Sequence, residues 1–336
     1  MYSLFVPAEG YRTKYGIVET QRGIKFIKDR FQRELAAALN LERISAPLFV
    51  RPESGLNDDL NGIERPVSFD IKALAAEAQV VQSLAKWKRF ALKQYGFEPG
   101  SGLYTDMNAI RRDEDLDNLH SIYVDQWDWE AVIQREERNF ETLKSTVRRI
   151  YACVLSTQRA VQEFMPKLTM ELPDDIFFLT SQELEDMYPN LSMKERENAI
   201  CKDKGAVFLM QIGDILKSGL RHDGRAPDYD DWKLNGDILV WYEPMQMAFE
   251  LSSMGIRVDE GSLVEQCEKL GLAGRLSRPY HQMLVKKELP YTIGGGIGQS
   301  RLCMLFLEKI HIGEVQASVW PAEMLKECEE QGIKLL

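Results

Sequence analysis

No apolar run in this chain of 336 residues approaches the roughly 20 residues that a membrane-spanning helix needs. The N-terminus offers only Leu4-Phe5-Val6 before Pro7, which is far short of a signal-peptide core. Cysteine is scarce and scattered: the five, at 153, 201, 267, 303 and 328, include no Cys-x-x-Cys pair, as expected of reduced thiols in the cytoplasm. Histidine is rarer still, and His222 has no second His or Cys nearby with which to hold a transition metal. Positive charge is in deficit, since 42 basic against 52 acidic residues leave a net charge of -10, the wrong sign for a protein that must grip a long polyanion. Nucleic acid is therefore not an expected partner. Internal repeats, low-complexity segments and linkers are also lacking, so one domain is expected over residues 1–336.

What the chain does have is glycine in one place. Pro290-Tyr-Thr-Ile-Gly-Gly-Gly-Ile-Gly-Gln-Ser-Arg301 reads as a short strand at 291–293, a glycine-rich stretch, and an Arg where the buried helix at 302–307 begins. Glycine lets a backbone lie flat against a ligand, and a guanidinium plane can stack on a purine or hold a phosphate. The same residues also suit a plain bend with a surface Arg. A dinucleotide fingerprint is excluded, because the third glycine of G-x-G-x-x-G is missing whether counted from Gly294 or from Gly296.

Apolar steps of three and four (Ile24, Ile27, Phe31, Leu35, Leu39) predict an amphipathic helix over about 20–40. A strand at 44–50 follows, and its Pro47 places it at a sheet edge or a subunit boundary. Residues 53–62 read as a loop, with Asp58 and Asp59 as solvated turn residues. The helix from Gln82 points Leu84 and Trp87 inward and Lys86, Lys88 and Arg89 outward into solvent.

Residues 109–130 read as a hairpin with a long loop. On its second strand Val124, Gln126, Asp128 and Glu130 share one face, and Tyr123, Asp125, Trp127 and Trp129 the other. A long helix is expected over 131–165, with a break near its middle, then strands at 176–179 and 206–212. Thr180-x-x-Glu183 and Ser192-x-x-Glu195 have capping-box spacing. The polar stretch 220–232 fits either a solvated loop or a site.

Strands at 234–241 and 248–257, reversed at Glu243-Pro244, would bring Asp237 near Glu250. Such a pair of hard oxygen ligands suits Mg²⁺ on ATP phosphates. On a straight strand Glu250 and Ser252 share one face and Ser253 and Arg257 the other, and the strand is not expected to be straight.

Gly294-x-Gly-x-Gly-x-x-Arg301-Leu302 resembles motif 3 of the class II aminoacyl-tRNA synthetase fold, in which the Arg stacks on ATP. Arg111, the acidic run after it and the loop resemble motif 2, in which the Arg holds the α-phosphate. The helix followed by the Pro47 strand resembles motif 1, the dimer interface. Nearly end to end, the chain is similar to the ammonia-dependent aspartate–ammonia ligases, the AsnA-type asparagine synthetases. The match is carried by Ser83-Leu-Ala-Lys-Trp-Lys-Arg, Tyr123-Val-Asp-Gln-Trp-Asp-Trp-Glu, Arg225-Ala-Pro-Asp-Tyr-Asp-Asp-Trp, Asn235-Gly-Asp-Ile-Leu-Val-Trp, Glu250-Leu-Ser-Ser-Met-Gly-Ile-Arg and the motif 3 glycines. Gln82 stands where some relatives carry His, and the stretch after Trp232, near a lid-like loop, is shorter than in some members.

The resemblance implies an α+β fold with a central antiparallel sheet flanked by helices, a homodimer, and conversion of aspartate, ATP and ammonia to asparagine, AMP and pyrophosphate through a β-aspartyl-adenylate. It assigns Arg111 and Arg301 to ATP, with Gly294, Gly296 and Gly298 beneath it. Asp237 and Glu250 go to the phosphates through Mg²⁺. Gln82, Ser83, Asp128, Arg225, Asp230 and Ser253 go to aspartate, and Asp58 and Gln126 join the two arginines as catalytic residues. Two arginines and a metal are what the adenylation needs, since two negatively charged reactants must meet. A tRNA ligase is disfavoured by the acidic charge and by the lack of room for an anticodon-binding domain. A non-catalytic paralogue is expected to have lost an Arg of motif 2 or 3, and both stand here. Glutamine-dependent synthesis is opposed by Tyr2, where that class exposes a Cys.

Overall fold

The computed structural model describes residues 10–60 and 64–336; Leu4-Phe5-Val6 and the end of the 53–62 loop lie outside the described residues. The described chain opens with α1 (Ile17–Leu39) and the short β1 (Leu41–Arg43). Next, β2 (Phe49–Val50), β3 (Ser68–Ile71) and β4 (Ala76–Val80) form a small sheet of their own, in the order β2-β4-β3. α2 (Ala85–Tyr95) then leads into a hairpin of β5 (Gly102–Ile110) and β6 (Tyr123–Val132). α3 (Phe140–Phe164), β7 (Phe177–Thr180), α4 (Ser181–Met187), α5 (Met193–Lys204) and β8 (Ala206–Met210) follow. A second hairpin, β9 (Asp230–Tyr242) with β10 (Met247–Arg257), precedes α6 (Glu260–Lys269) and α7 (Pro279–Val285). β11 (Thr292–Gly298), α8 (Gln299–Phe306) and α9 (Ala322–Glu330) complete the chain.

The main sheet runs β1-β5-β6-β11-β10-β9-β8-β7. Its inner pairs are antiparallel, and only the two edge pairs, β1 with β5 and β7 with β8, are parallel. The expected antiparallel sheet is thus present, with a parallel strand added at each end.

Alternation decides which face is which. Trp127 and Trp129 on β6, Ile238 and Val240 on β9, and Phe249 on β10 turn to one face, where they pack with Ile27, Phe31 and Leu35 of α1 and with α3 and α8. On the other face α2 covers Leu103, Met107 and Val132 at one end. At the far end α4 and α5 cover Leu179, Val207, Leu209 and Leu239. Between these two helical covers, the middle of the second face carries polar side chains and becomes the floor of a cavity.

Several expected elements differ. Residues 44–50 are not one strand: β1 ends at Arg43 and pairing resumes at Phe49, because Pro47 has no N–H for a ladder. The helix expected over 131–165 starts only at Phe140, where Asn139 Oδ1 accepts from Thr142 N at 3.0 Å; residues 131 and 132 still belong to β6. That helix then runs unbroken to Phe164. β8 stops at Met210, short of Ile212, and β9 starts at Asp230, four residues early, so Trp232 is buried strand and not a lid. Both predicted capping boxes form, with Thr180 N donating to Glu183 Oε2 at 2.7 Å and Ser192 N to Glu195 Oε2 at 2.8 Å.

Candidate active site

The floor comes from three strands. β11 runs through Gly298, so of the two readings of these glycines the plain bend falls: they are strand residues, and none of those at 294–298 has positive φ. Their value is steric. Register sets Gly294, Gly296 and Gly298 opposite Glu130, Asp128 and Gln126 of β6, whose side chains lie across the bare backbone. A Cβ at Gly296 would overlap Gln126 Oε1 and stand 2.8 Å from Asp128 Oδ1, and one at Gly294 would stand 2.7 Å from the Trp129 carbonyl oxygen.

β10 contributes through a bulge. Pairing with β9 shifts between Glu250 and Ser252, so Phe249 and Leu251 face the core before the bulge and Met254 and Ile256 after it. Glu250, Ser253 and Arg257 therefore share the cavity face, which a straight strand forbids. Asp237 pairs with Ser253 and Glu250 with Leu239, which makes the two carboxylates diagonal neighbours.

Walls come from elsewhere in the chain. The cavity, about 310 Å³, is lined by Asp58, Ser83, Lys88, Arg111, Gln126, Asp128, Arg225, Tyr229, Asp230, Glu250, Ser253, Gly296, Gly298 and Arg301, among others. Of the residues expected in the site, Gln82 lines an adjoining recess of about 740 Å³ shared with Arg111 and Arg225. Asp237 lies just behind Arg225, whose Nη2 donates to it at 2.6 Å, and Gly294 lies under Glu130. Asp58 is not a solvated turn residue: it is buried, its Oδ1 accepts from Leu60 N at 2.9 Å, and its carbonyl accepts from Gln82 Nε2 at 3.0 Å. The 220–232 stretch is exposed at Leu220, Asp223 and Gly224 and then turns inward to site and core, with Asp228 and Asp230 buried, Tyr229 half-buried and His222 held by Glu197 at 2.9 Å.

Both motif arginines are positioned by their surroundings. Arg111 follows directly on β5, and its backbone N donates to Ile122 O at 2.9 Å across the base of the hairpin loop. Arg301 sits in the first turn of α8, whose Ser300 N is anchored by Asp125 Oδ1 at 3.0 Å. Arg301 Nη2 donates to His120 Nε2 at 2.9 Å, which leaves the proton on Nδ1 to be donated to Asp117, also at 2.9 Å. On its other side Arg301 reaches the Glu250 carboxylate at 3.6 Å.

Charge is balanced closely around the floor. Lys88 Nζ lies 3.2 Å from Asp128 Oδ2 and donates to the Gly295 carbonyl at 2.8 Å; burial pulls the Lys88 pKa down and Asp128 opposes it. Arg257 ties Glu130, at 2.7 Å from Nη2, to Asp230, linking β6, β10 and the start of β9. Such a buried set is costly to break, because removing one partner strands an uncompensated charge. Burial, with the Glu250 charge nearby, pushes the Asp237 carboxyl up to about 7 against the pull of Arg225.

Five buried polar atoms around the cavity, Asp58 Oδ2, Gln82 Oε1, Arg111 Nε, Arg225 Nε and Gln316 Oε1, have no hydrogen-bond partner among the described residues. A site that leaves both guanidinium donors and carboxylate acceptors unmatched is chemically suited to a polar ligand with charges of both signs. Asp237 and Glu250 also fit a divalent cation, since two carboxylates that disfavour each other's charge are relieved by one. Among the described residues no group of three or more His, Cys, Asp or Glu side chains is arranged to hold a metal, so phosphate oxygens and water would complete the shell.

The model of the aspartate–ammonia ligase family matches residues 18–332. The chain is 61% identical over its whole length to an aspartate–ammonia ligase of Ruminiclostridium cellulolyticum, covering 100% of both chains. It is 62% identical to that of Ligilactobacillus salivarius, covering 99% of both. The chain belongs to the aspartate–ammonia ligase family.

Among solved structures, the fold matches asparaginyl-tRNA synthetase of Pyrococcus horikoshii with a TM-score of 0.65 at 15% identity, over 90% of this chain and 70% of that one. The Entamoeba histolytica asparaginyl-tRNA synthetase matches at 0.64 and 13%, over 89% and 66%. The α+β architecture of this ligase-family chain is thus that of class II synthetase catalytic domains.

Reading the residues one by one missed several that lie in this ligase-family site or behind its walls. Lys86, Lys88 and Arg89 were expected in solvent and are each 1% exposed. A signal was available: at about 100° per residue Lys86 and Lys88 stand about 160° apart, so no single solvated face can hold both. His120, Tyr229 and Arg257 left no such trace. Gly296→Ala, which must displace Gln126, is expected to lower turnover on the order of 10²-fold while the protein still folds. Normal turnover with an unchanged melting curve would show that Gln126 does not need its present position.

Proposed function

We propose that this chain is an aspartate–ammonia ligase, which uses ATP to join aspartate to ammonia and releases asparagine, AMP and pyrophosphate. The observation that carries the reading is the convergence of Arg111, Arg225 and Arg301 on one cavity that also holds Asp58 and Asp128. In the first step an oxygen of the aspartate β-carboxylate attacks the α-phosphorus of ATP and pyrophosphate leaves. Arg111 and Arg301 lower the charge repulsion of that approach and keep the reacting groups aligned. Arg225, Asp128 with Lys88, and Ser253 bind the charged ends of aspartate. In the second step ammonium yields a proton toward Asp58, the freed nitrogen lone pair attacks the β-carbonyl, and AMP departs as the nitrogen releases a second proton to solvent, leaving the neutral amide. Gln126 lines the same pocket.

Mg²⁺ held by Asp237 and Glu250 would supply neutralising charge to the ATP phosphates. The proposal includes a single catalytic domain and a cytoplasmic location; among the described residues no helix is long and apolar enough to cross a membrane.

The direct test is an assay of purified protein with aspartate, ATP and ammonium, followed for asparagine and for AMP against ADP. AMP in step with asparagine is expected; ADP, or a strict need for glutamine, would overturn the reading.

A homodimer through α1 and the segment around Pro47 belongs to the same proposal. Leu48 and Phe49 beside Pro47 are exposed, and the Phe49 ring meets Phe69 edge-on at 5.2 Å, an apolar patch suited to an isologous contact. The mass in solution at micromolar concentration should be twice the 38.6 kDa of the chain. A monomer would remove the assignment of this surface.

A further inference from the structure

Directly behind the Asp58 wall lies a buried charged cluster that the chemistry above does not use. Asp228 Oδ2 accepts from Lys86 Nζ at 3.1 Å, from His281 Nε2 at 2.9 Å and from Arg275 Nη1 at 3.4 Å, and the Lys86, Asp228 and His281 side chains are all 0% exposed. Arg275 then passes the pattern outward: its Nε lies 3.5 Å from Asp59 Oδ2, which also takes Arg278 at 2.5 Å. Asp59 is the chain neighbour of Asp58. Lys86 is the second residue of α2, four positions after Gln82, whose amide holds the Asp58 carbonyl.

Charges therefore alternate along Asp58, Lys86, Asp228, Arg275 and Asp59, and both ends of the series sit in one loop. Such a set is expensive to bury and stable only when complete. A catalytic loop gains from it a fixed position and a fixed charge.

We propose that the series Lys86–Asp228–Arg275–Asp59 positions the Asp58 loop and fixes Lys86 behind it, so that Asp58 can draw in ammonium and take up its proton. This rests on the role given to Asp58 above. The groups facing Asp58 are Lys86 from α2, Asp228 and Tyr229 from the segment before β9, and its neighbour Asp59, with Arg275 and His281 behind Asp228. Burial pushes the Asp58 carboxyl above its ordinary range and Asp228 adds to that push, while Lys86 pulls against it. Lys86 is thus the cation that opposes burial. Burial also works against Asp228, yet Lys86, His281 and Arg275 hold that carboxyl far below the usual range, so it stays an anchor for Lys86.

The test separates two half-reactions: asparagine formation, and aspartate-dependent exchange of labelled pyrophosphate into ATP, which needs no ammonium. Lys86→Met should raise KM for ammonium about tenfold and move the acid limb of synthesis upward by about one to three pH units, while exchange keeps its rate and pH profile. Lys86→Arg should restore both. Asp59→Asn, at the half-buried end of the series, should raise KM for ammonium without moving the limb, and it carries the test if Lys86→Met does not fold. If Asp58→Asn splits synthesis from exchange, yet Lys86→Met and Asp59→Asn leave KM for ammonium and the pH profile alone, the positioning role is overturned and the Asp58 reading survives. If Asp58→Asn fails to split them, the underlying reading fails first.

Discussion

Arg301→Ala is expected to lower turnover by about 10²–10³-fold at saturating ATP, the usual loss for one charge-stabilising donor, or about 2.7–4 kcal/mol of transition-state stabilisation. Arg111→Ala should cost as much. Neither change should unfold the protein. Arg301 is held by Glu250 and His120 at the cavity rim and Arg111 by Glu114 at 3.7 Å, so no core contact is lost in either case. The two differ in what remains. Without Arg301, His120 loses its donor and Glu250 loses one of the cations that offset its charge, which should loosen the proposed purine side of the site. Without Arg111, the proposed phosphate side should lose a donor whose Nε has no partner among the described residues. Steady-state turnover beside a melting curve decides the matter. Near-normal turnover in either variant removes that Arg from the ATP site.

Asp58→Asn should abolish asparagine formation and leave pyrophosphate exchange measurable. At neutral pH the nitrogen source is mostly ammonium, which carries no lone pair and must be attracted and then deprotonated. The proposed role gives both tasks to Asp58, which is buried, lines the cavity with Gln126 and Asp128, and has an Oδ2 unmatched among the described residues. Activation of aspartate requires neither task. Asn keeps the size of the side chain and the Oδ1 acceptor for Leu60 N, so the loop should hold its shape. Loss of exchange and synthesis in equal measure would make Asp58 an aspartate-binding or structural residue, with Asp128 the next candidate for ammonium.

Much of this architecture was legible in the residues. Period-two alternation along β6 separated Trp127 and Trp129 from Gln126 and Asp128 without ambiguity, because a strand with one apolar and one polar face can be read only one way. Capping boxes at Thr180 and Ser192 were equally plain, being local in sequence. What stayed hidden depended on partners far along the chain. Lys86 meets Asp228 and Asp58 pairs across the cavity wall with segments 20 and more residues away, and a local reading assigns such charges to water. The β10 bulge was foreseen only as a departure from straightness, since its position follows from register with β9. β11 was legible only at its start, with a flat backbone and a bend both open for its glycines. Five residues with four glycines look like a bend, and only the side chains laid across them from β6 explain why a strand would be built that way.

That bare strand also limits how the protein can be redesigned. A pocket is normally reshaped by enlarging or shrinking the side chains of its floor, but the β11 part of this floor offers none, and adding one at 294 or 296 collides with the backbone or with Gln126 and Asp128. Altered amino-acid selectivity has to be sought in the walls, at Ser83 or Arg225, or on the β10 part of the floor at Ser253, positions that come from three separate segments. A library randomised over the glycine-rich stretch should yield mostly inactive protein, and one spread over those three positions should be the richer source of new substrates.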